Sequence, residues 1–201
     1  KGTVKSKDGQ PIASSIEIYG NDKNKNIGNF KSNKATGEYL ISLPFGKNYA
    51  MFVKADNRLF KTINFDLKDS TDYQKFQRDI ILDTIMVNAK TVLNNIYFDY
   101  GKYTLRKESY GTLNRVVDFM KEDPAIKVEI SGHTDNVSSI RTNQPLSENR
   151  AKAVYTYLIK HGIEASRLTS AGYADKYPVV PNDTREHRQM NRRVEFKIIA
   201  K

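Results

Sequence analysis

Apolar and polar positions alternate in short runs through the first eighty or so residues, and the pattern then changes to one with a helical period. Ser15-Ile16-Glu17-Ile18-Tyr19 alternates and runs into the turn signal Gly20-Asn21-Asp22. Glu38-Tyr39-Leu40-Ile41-Ser42-Leu43 follows Thr36-Gly37 and stops at Pro44, and Tyr49-Ala50-Met51-Phe52-Val53 follows Gly46-Lys47-Asn48. Short strands punctuated by Gly, Pro and Asn predict an all-β sandwich over residues 1–82. Residues 83–92 have mixed polarity and no period, which predicts a linker. From residue 93 onward strands and helices alternate. Ile96 and Phe98 mark a first strand. Leu113, Val116, Val117 and Met120 fall at i, i+3, i+4 and i+7, on one helical face. Asp123 precedes Pro124, so that helix should stop there. Lys127-Val128-Glu129-Ile130-Ser131 alternates as a strand, and Ala151, Val154, Tyr155 and Leu158 form a second helical stripe closed by Gly162. Arg167 to Gly172 reads as a third strand, and Val194, Phe196 and Ile198 as a last one. Residues 93–201 are therefore expected to form an α/β domain in the order βαβαββ, two helices on one mixed sheet.

Composition narrows the function classes. Of 201 residues none is Cys, which removes disulfides, thiolate metal sites and Cys nucleophiles. No apolar run approaches the roughly 20 residues that cross a bilayer as a helix. The chain begins at Lys1-Gly2-Thr3-Val4, already strand-like, and reads as a processed or excised piece. The net charge of +10 raises the question of nucleic acid. Residues 1–89 carry 14 basic and 10 acidic side chains and residues 90–201 carry 19 and 13, so the excess is spread rather than gathered on one element. That distribution argues against a nucleic-acid partner.

Two segments carry polar residues that a core does not need. Ser131-Gly132-His133-Thr134-Asp135-Asn136 ends the second strand, and Asn143-Gln144-Pro145-Leu146-Ser147-Glu148-Asn149-Arg150-Ala151 opens the second helix. Ligands of α/β sheets gather at such strand–helix junctions. With Ser147 as N-cap, Arg150 falls in the first helical turn, where a cation opposes the helix dipole. A local rule broken at a junction suggests function. Arg150 suits a ligand carboxylate, and Asp135 on the facing loop suits an ammonium. Together they match a zwitterion such as an amino acid with both groups free. From the residues alone, an Asp135–Arg150 ion pair that only holds the fold stands equally beside that reading.

The motifs add a resemblance. Ile96-Tyr97-Phe98-Asp99, Gly132-His133-Thr134-Asp135, Leu146-Ser147 with Arg150-Ala151, Gly162-Ile163, Arg167-Leu168, Gly172-Tyr173 and Asn191-Arg192-Arg193-Val194-Glu195 resemble the OmpA-like C-terminal peptidoglycan-binding domain, in family order and spacing. The resemblance implies noncovalent binding of the peptide stem, with Asp135 and Arg150 gripping the amino and carboxyl groups of diaminopimelate. It implies a further stem contact at Asn143, and a closing segment that runs from Asp99 through Tyr100 to Thr104. Arg188 and Asn191 match its Arg-x-x-Asn-Arg-Arg pattern as pocket wall and fold support. It also implies a place at the periplasmic face of the outer membrane, with no metal or organic cofactor. One departure leaves the path after Asp135 open: Asn136-Val137-Ser138-Ser139-Ile140 lacks the glycine many members carry there. Residues 1–82 resemble the carboxypeptidase-regulatory-like, transthyretin-like β-sandwich family through Gly2, Val4, Gly9-Gln10-Pro11-Ile12, Ile16, Thr36-Gly37-Glu38-Tyr39, Leu43-Pro44-Phe45-Gly46 and Tyr49. The pairing of these two domains resembles envelope proteins of Bacteroidetes-type bacteria. It suggests, as an alternative, a scaffold subunit of a type IX-like secretion or motility complex with outer-membrane partners.

An enzyme is the third class. His133 and Asp135 sit one residue apart at a strand end, and a metal or acid–base site needs a third group, for which His187 is the candidate. No hydrolase or metal motif accompanies them, so no catalytic residue is assigned. His133 is expected to shape the pocket and His161 to cap a helix C-terminus.

Overall fold

The computed structural model describes residues 1–21, 24–67 and 74–201, and the chain divides into two compact units, Lys1–Ile85 and Met86–Lys201. Asp22, the last residue of the expected Gly20-Asn21-Asp22 turn, lies outside the described residues.

The described part of the first unit is built of strands: β1 (Gly2–Lys5), β2 (Ser15–Gly20), β3 (Lys25–Lys31), β4 (Glu38–Tyr39), β5 (Asn48–Lys54), β6 (Lys61–Asp66) and β7 (Ile80–Ile81). They form two sheets, of order β4-β1-β7 and β3-β2-β5-β6. Ile16 and Ile18 of β2 and Met51 and Val53 of β5 point into the same apolar cluster as Val4, Tyr39 and Ile80 of the smaller sheet. The alternation read in β2 is thus the core face of a strand whose Ser15 and Glu17 stay half-exposed. In β5 the intervening Phe52 is buried too, stacked on Phe60 at 4.9 Å between ring centroids. The strand expected to run from Glu38 to Leu43 ends at Tyr39, because β1 offers pairing only through Gly2 and Thr3, and Leu40 turns to solvent.

The second unit contains β8 (Lys90–Val92), α1 (Tyr110–Glu122), β9 (Lys127–Gly132), α2 (Ile140–Lys160), β10 (Leu168–Gly172), α3 (Arg185–Asn191) and β11 (Val194–Ala200). The sheet order is β10-β9-β11-β8; β10 runs parallel to β9, and β11 antiparallel to both β9 and β8. Leu113, Val116 and Met120 of α1, Ala151, Val154 and Leu158 of α2, and Val128, Ile130, Phe196 and Ile198 of the sheet are buried together as its core. Asp123 is extended (φ −127°, ψ 94°), and α1 stops before Pro124 as its sequence predicts. Its C-terminal end is capped from far along the chain: Arg167 donates to Met120 O at 2.7 Å and Asp123 O at 2.8 Å, and also to Ile126 O at 3.0 Å in the segment leading to β9. Gly162, at φ 94°, ends α2 where expected.

Three expectations are corrected. The first strand is Lys90–Val92, inside the stretch read as linker, and Ile96 and Phe98 lie in a loop. Asn95, at φ 67°, turns the chain out of the sheet before them. The order gains a third helix, α3, started by Thr184, whose Oγ1 accepts from His187 N at 3.0 Å. Finally, α2 begins at Ile140, with Ser139 as N-cap and Pro145 inside the helix. Proline favours the first helical turn, which is why the sequence points to a start just after it.

Candidate functional site

Helix α2 lies hard against the ends of β9 and β10. A Cβ on Gly132 would stand 2.2 Å from Ser147 O, and one on Gly172 would stand 2.3 Å from Glu148 N. Only glycine permits such an approach at either point. Ser147 is not the helix cap expected from the sequence. Its hydroxyl donates to Gln144 O at 2.8 Å and accepts from Ala174 N at 3.1 Å, which ties α2 to the segment after β10. Arg150 therefore sits in the third turn of α2, away from the helix N-terminus. The dipole conflict inferred for it does not exist.

Asp135 reaches the same region from β9. The chain leaves the strand through His133, whose N–H donates to Arg193 O, and Thr134, whose N–H donates to Ala174 O, both at 2.9 Å. The path after Asp135 turns at once: its Oδ1 accepts from Val137 N at 3.2 Å. Asn143, buried in the first turn of α2, holds this loop from beneath, its Nδ2 donating to Asp135 O and Ser138 O, each at 2.9 Å. Asn143 is thus placed on a helix rather than a loop, and it shapes the site through the backbone of Asp135.

The Asp135 carboxylate, only 8% exposed as a residue, pairs through Oδ2 with Nη1 of Arg192, not with Arg150. Among the described residues this removes the simple Asp135–Arg150 ion pair. Arg150 instead lies over the Phe98 ring, 5.0 Å from its centroid, and its Nε donates to Lys102 O at 3.1 Å. Its two terminal nitrogens donate to no described residue. Burial, then repulsion from Arg192, holds the Arg150 pKa below its ordinary value, while Asp135 pulls the other way. One carboxylate and two guanidiniums therefore share this region.

The loop expected to close the pocket comes to Arg150 through Lys102 O. It is pinched by a bridge between Phe98 and Leu105. Asp99 meets Lys102 at 3.8 Å on the surface, Tyr100 is 98% exposed, and Thr104 is exposed. These side chains stand at the rim rather than against Arg150. Arg188 and Asn191 serve elsewhere. Arg188 donates to Asn182 O and Asp183 O. Buried Asn191 accepts from Val179 N and Val180 N and donates to Val180 O and Asn182 Oδ1, clamping the segment before α3. Both brace the fold near Arg192.

Arg192 is the site residue that sequence reasoning missed. The available signal was the doublet Arg192-Arg193 at the entry to β11, since neighbouring positions on a strand face opposite ways. Arg193 indeed turns inward, 2.7 Å from Glu195 Oε1, and Arg192 turns to Asp135. His133 belongs with the inward set. It is buried on Tyr173, with Nε2 3.8 Å from Glu195 Oε2, and neither ring nitrogen has a hydrogen-bond partner among the described residues. Burial first, then Arg193, lowers its pKa to about 4 against the pull of Glu195. Burial works to raise the pKa of Glu195, yet hydrogen bonds from Lys90 and Arg193 leave it below the ordinary value. His187 is engaged with Asp183 at the start of α3, and His161 meets Tyr157 O at 2.7 Å at the end of α2.

A cleft of about 460 Å³ on the first unit is lined by Thr3, Glu38, Tyr39, Leu40 and Asp79, among others. Several of its polar groups are already engaged: Thr3 donates to Asp79 through both N and Oγ1, and Tyr39 donates to Arg78 O. The charged cluster of the second unit is the chemically richer site.

Residues 97–192 match the OmpA family. The chain is 41% identical over 106 residues to outer membrane porin F of Pseudomonas fluorescens, which covers 53% of this chain and 32% of that protein. It is 42% identical over 103 residues to the peptidoglycan-binding protein ArfA of Mycobacterium tuberculosis (strain H37Rv), covering 51% of this chain and 32% of that one. The chain thus spans about a third of the length of these relatives. A solved structure of a MotB-like protein from Desulfovibrio vulgaris superposes with a TM-score of 0.50 at 30% identity, covering 54% of this chain and 70% of that one.

Proposed function

We propose, taking as premise that residues 97–192 form an OmpA family domain, that this domain binds peptidoglycan noncovalently through the diaminopimelate of the peptide stem. The observation that carries the proposal is that Arg150, with both terminal nitrogens uncommitted to any described residue, shares its electrostatic surroundings with the Asp135 carboxylate. Arg150 offers its terminal N–H groups to a carboxylate in the two-pronged geometry a guanidinium favours. Asp135 retains lone pairs for an ammonium. Each charge-assisted hydrogen bond of this kind contributes roughly 1.5–3 kcal/mol. A stem carrying lysine lacks the side-chain carboxylate and should bind poorly. The relative named for peptidoglycan binding supports the same polymer as ligand.

In this reading the domain holds an envelope component to the wall and cuts nothing, at the periplasmic face of the outer membrane. No helix among the described residues is long and apolar enough to cross a membrane. The first unit, with two sheets sharing one apolar cluster, is proposed as a carboxypeptidase-regulatory-like sandwich that serves as spacer or docking module for an envelope assembly. The deciding experiment is co-sedimentation with purified sacculi, together with NMR titration by a diaminopimelate-containing stem peptide. Binding without release of muropeptides supports the proposal. Release of muropeptides, or shifts that bypass Arg150 and Asp135, overturns it.

A further inference from the structure

The charges at the site do not balance one to one. Asp135 brings one negative charge, and Arg150 and Arg192 bring two positive ones. Arg192 is also well anchored. Its Nη1 is on Asp135 Oδ2 and its Nη2 on Gln189 Oε1, while its backbone N–H donates to Arg188 O at 3.1 Å at the end of α3. A guanidinium held at both terminal nitrogens keeps a fixed plane, because its donors form a rigid fork. Its side chain is 35% exposed, and its charge is close enough to Arg150 to oppose that guanidinium's protonation.

We infer that Arg192 is a specificity-determining residue of this site: held by Asp135 and Gln189, its guanidinium joins that of Arg150 in a two-cation receptor for a ligand carboxylate. The inference rests on the reading of this site as a stem-binding site and deepens it by ranking the ligand's two charges. An incoming ammonium finds Asp135 already facing a cation, so its gain is reduced. An incoming carboxylate is attracted by both guanidiniums at once. The carboxylate is thus the dominant determinant and the ammonium the secondary one. The alternative is that Arg192 only orients Asp135, and that alternative makes the opposite forecast for a ligand with no ammonium.

The test is NMR titration of the 201-residue chain with three probes: meso-diaminopimelate, N-acetylglycine as a carboxylate without an ammonium, and glycinamide as an ammonium without a carboxylate. Arg192→Gln keeps a donor facing Asp135 and removes the charge; Arg192→Lys keeps the charge and loses the fork. The expected result is that wild type binds N-acetylglycine more tightly than glycinamide. Arg192→Gln should weaken both N-acetylglycine and diaminopimelate about tenfold, the loss of one charge-assisted contact, with Arg192→Lys in between. If Arg192→Gln weakens diaminopimelate and leaves N-acetylglycine at wild-type affinity, Arg192 is only a positioning residue; the inference fails while stem binding stands. If N-acetylglycine binds in an Arg192-dependent way but diaminopimelate binds no better than N-acetylglycine, the stem reading fails and the two-cation receptor stands. If wild type binds no probe, both fail.

Discussion

Gly132 at the end of β9 and Ser147 in the middle of α2 approach so closely that a methyl group on the first would stand 2.2 Å from the carbonyl oxygen of the second. This approach sets where Arg150, three residues after Ser147, stands relative to Asp135, three residues after Gly132. The separation of the two candidate ligand-binding groups is therefore a property of backbone packing. Gly132→Ala has to push main chain against main chain. We expect a loss of about 3 kcal/mol, the upper end of overpacking costs, measured by urea unfolding. Sacculus binding should fall with it even in the folded fraction.

Arg150→Ala removes the proposed carboxylate contact without unseating a buried partner. Pulldown with sacculi should be abolished, while the circular dichroism melt stays within about 1 kcal/mol of wild type, as for other half-buried surface changes. Retained binding would count against the site.

Asn143→Ala should act differently. Two backbone carbonyls, of Asp135 and Ser138, lose their donor in a buried place. A loss of about 1–3 kcal/mol is expected, with weakened stem binding that is partly restored at low temperature as the loop reorders. If Asn143→Ala melts like wild type yet loses binding, Asn143 touches the ligand directly.

The buried His133 gives a pH signature. Its folded pKa is lowered to about 4 from an ordinary 6.5, so the unfolded chain takes up a proton first as the pH falls. Stability attributable to this residue is full above pH 6.5 and declines between 6.5 and about 4. The decline is up to about 3 kcal/mol at 1.36 kcal/mol per pH unit. Glu195, whose pKa is also held down, adds to the loss only below about 4.5. Chemical denaturation of His133→Phe across pH 7 to 4.5 should show a flatter profile than wild type. An equal slope would place the acid sensitivity elsewhere.

What the sequence made legible follows from how local each cause is. The face of α1 through Leu113, Val116, Val117 and Met120 was readable because its period is a property of consecutive residues, and all four are buried. Strand β8 was not, since Lys90-Thr91-Val92 is a polar edge strand held by pairing with β11 more than a hundred residues later. Pro145 concealed the first turn and a half of α2. Asp135 and Arg150 were found as candidates, although the helix-dipole argument for Arg150 did not survive its position in the third turn. The doublet Arg192-Arg193 could have marked Arg192, but its contact with Asp135 spans 57 residues, and no local pattern encodes that partner.

Arg167 has a consequence for how the second unit is made. The donors for the last carbonyls of α1 and its C-cap arrive 44 to 47 residues after the groups they satisfy. During vectorial synthesis the end of that helix stays frayed until the stretch carrying Arg167 has left the ribosome. Completion of the C-terminal end of α1 is thereby tied to docking of the segment that leads into β10.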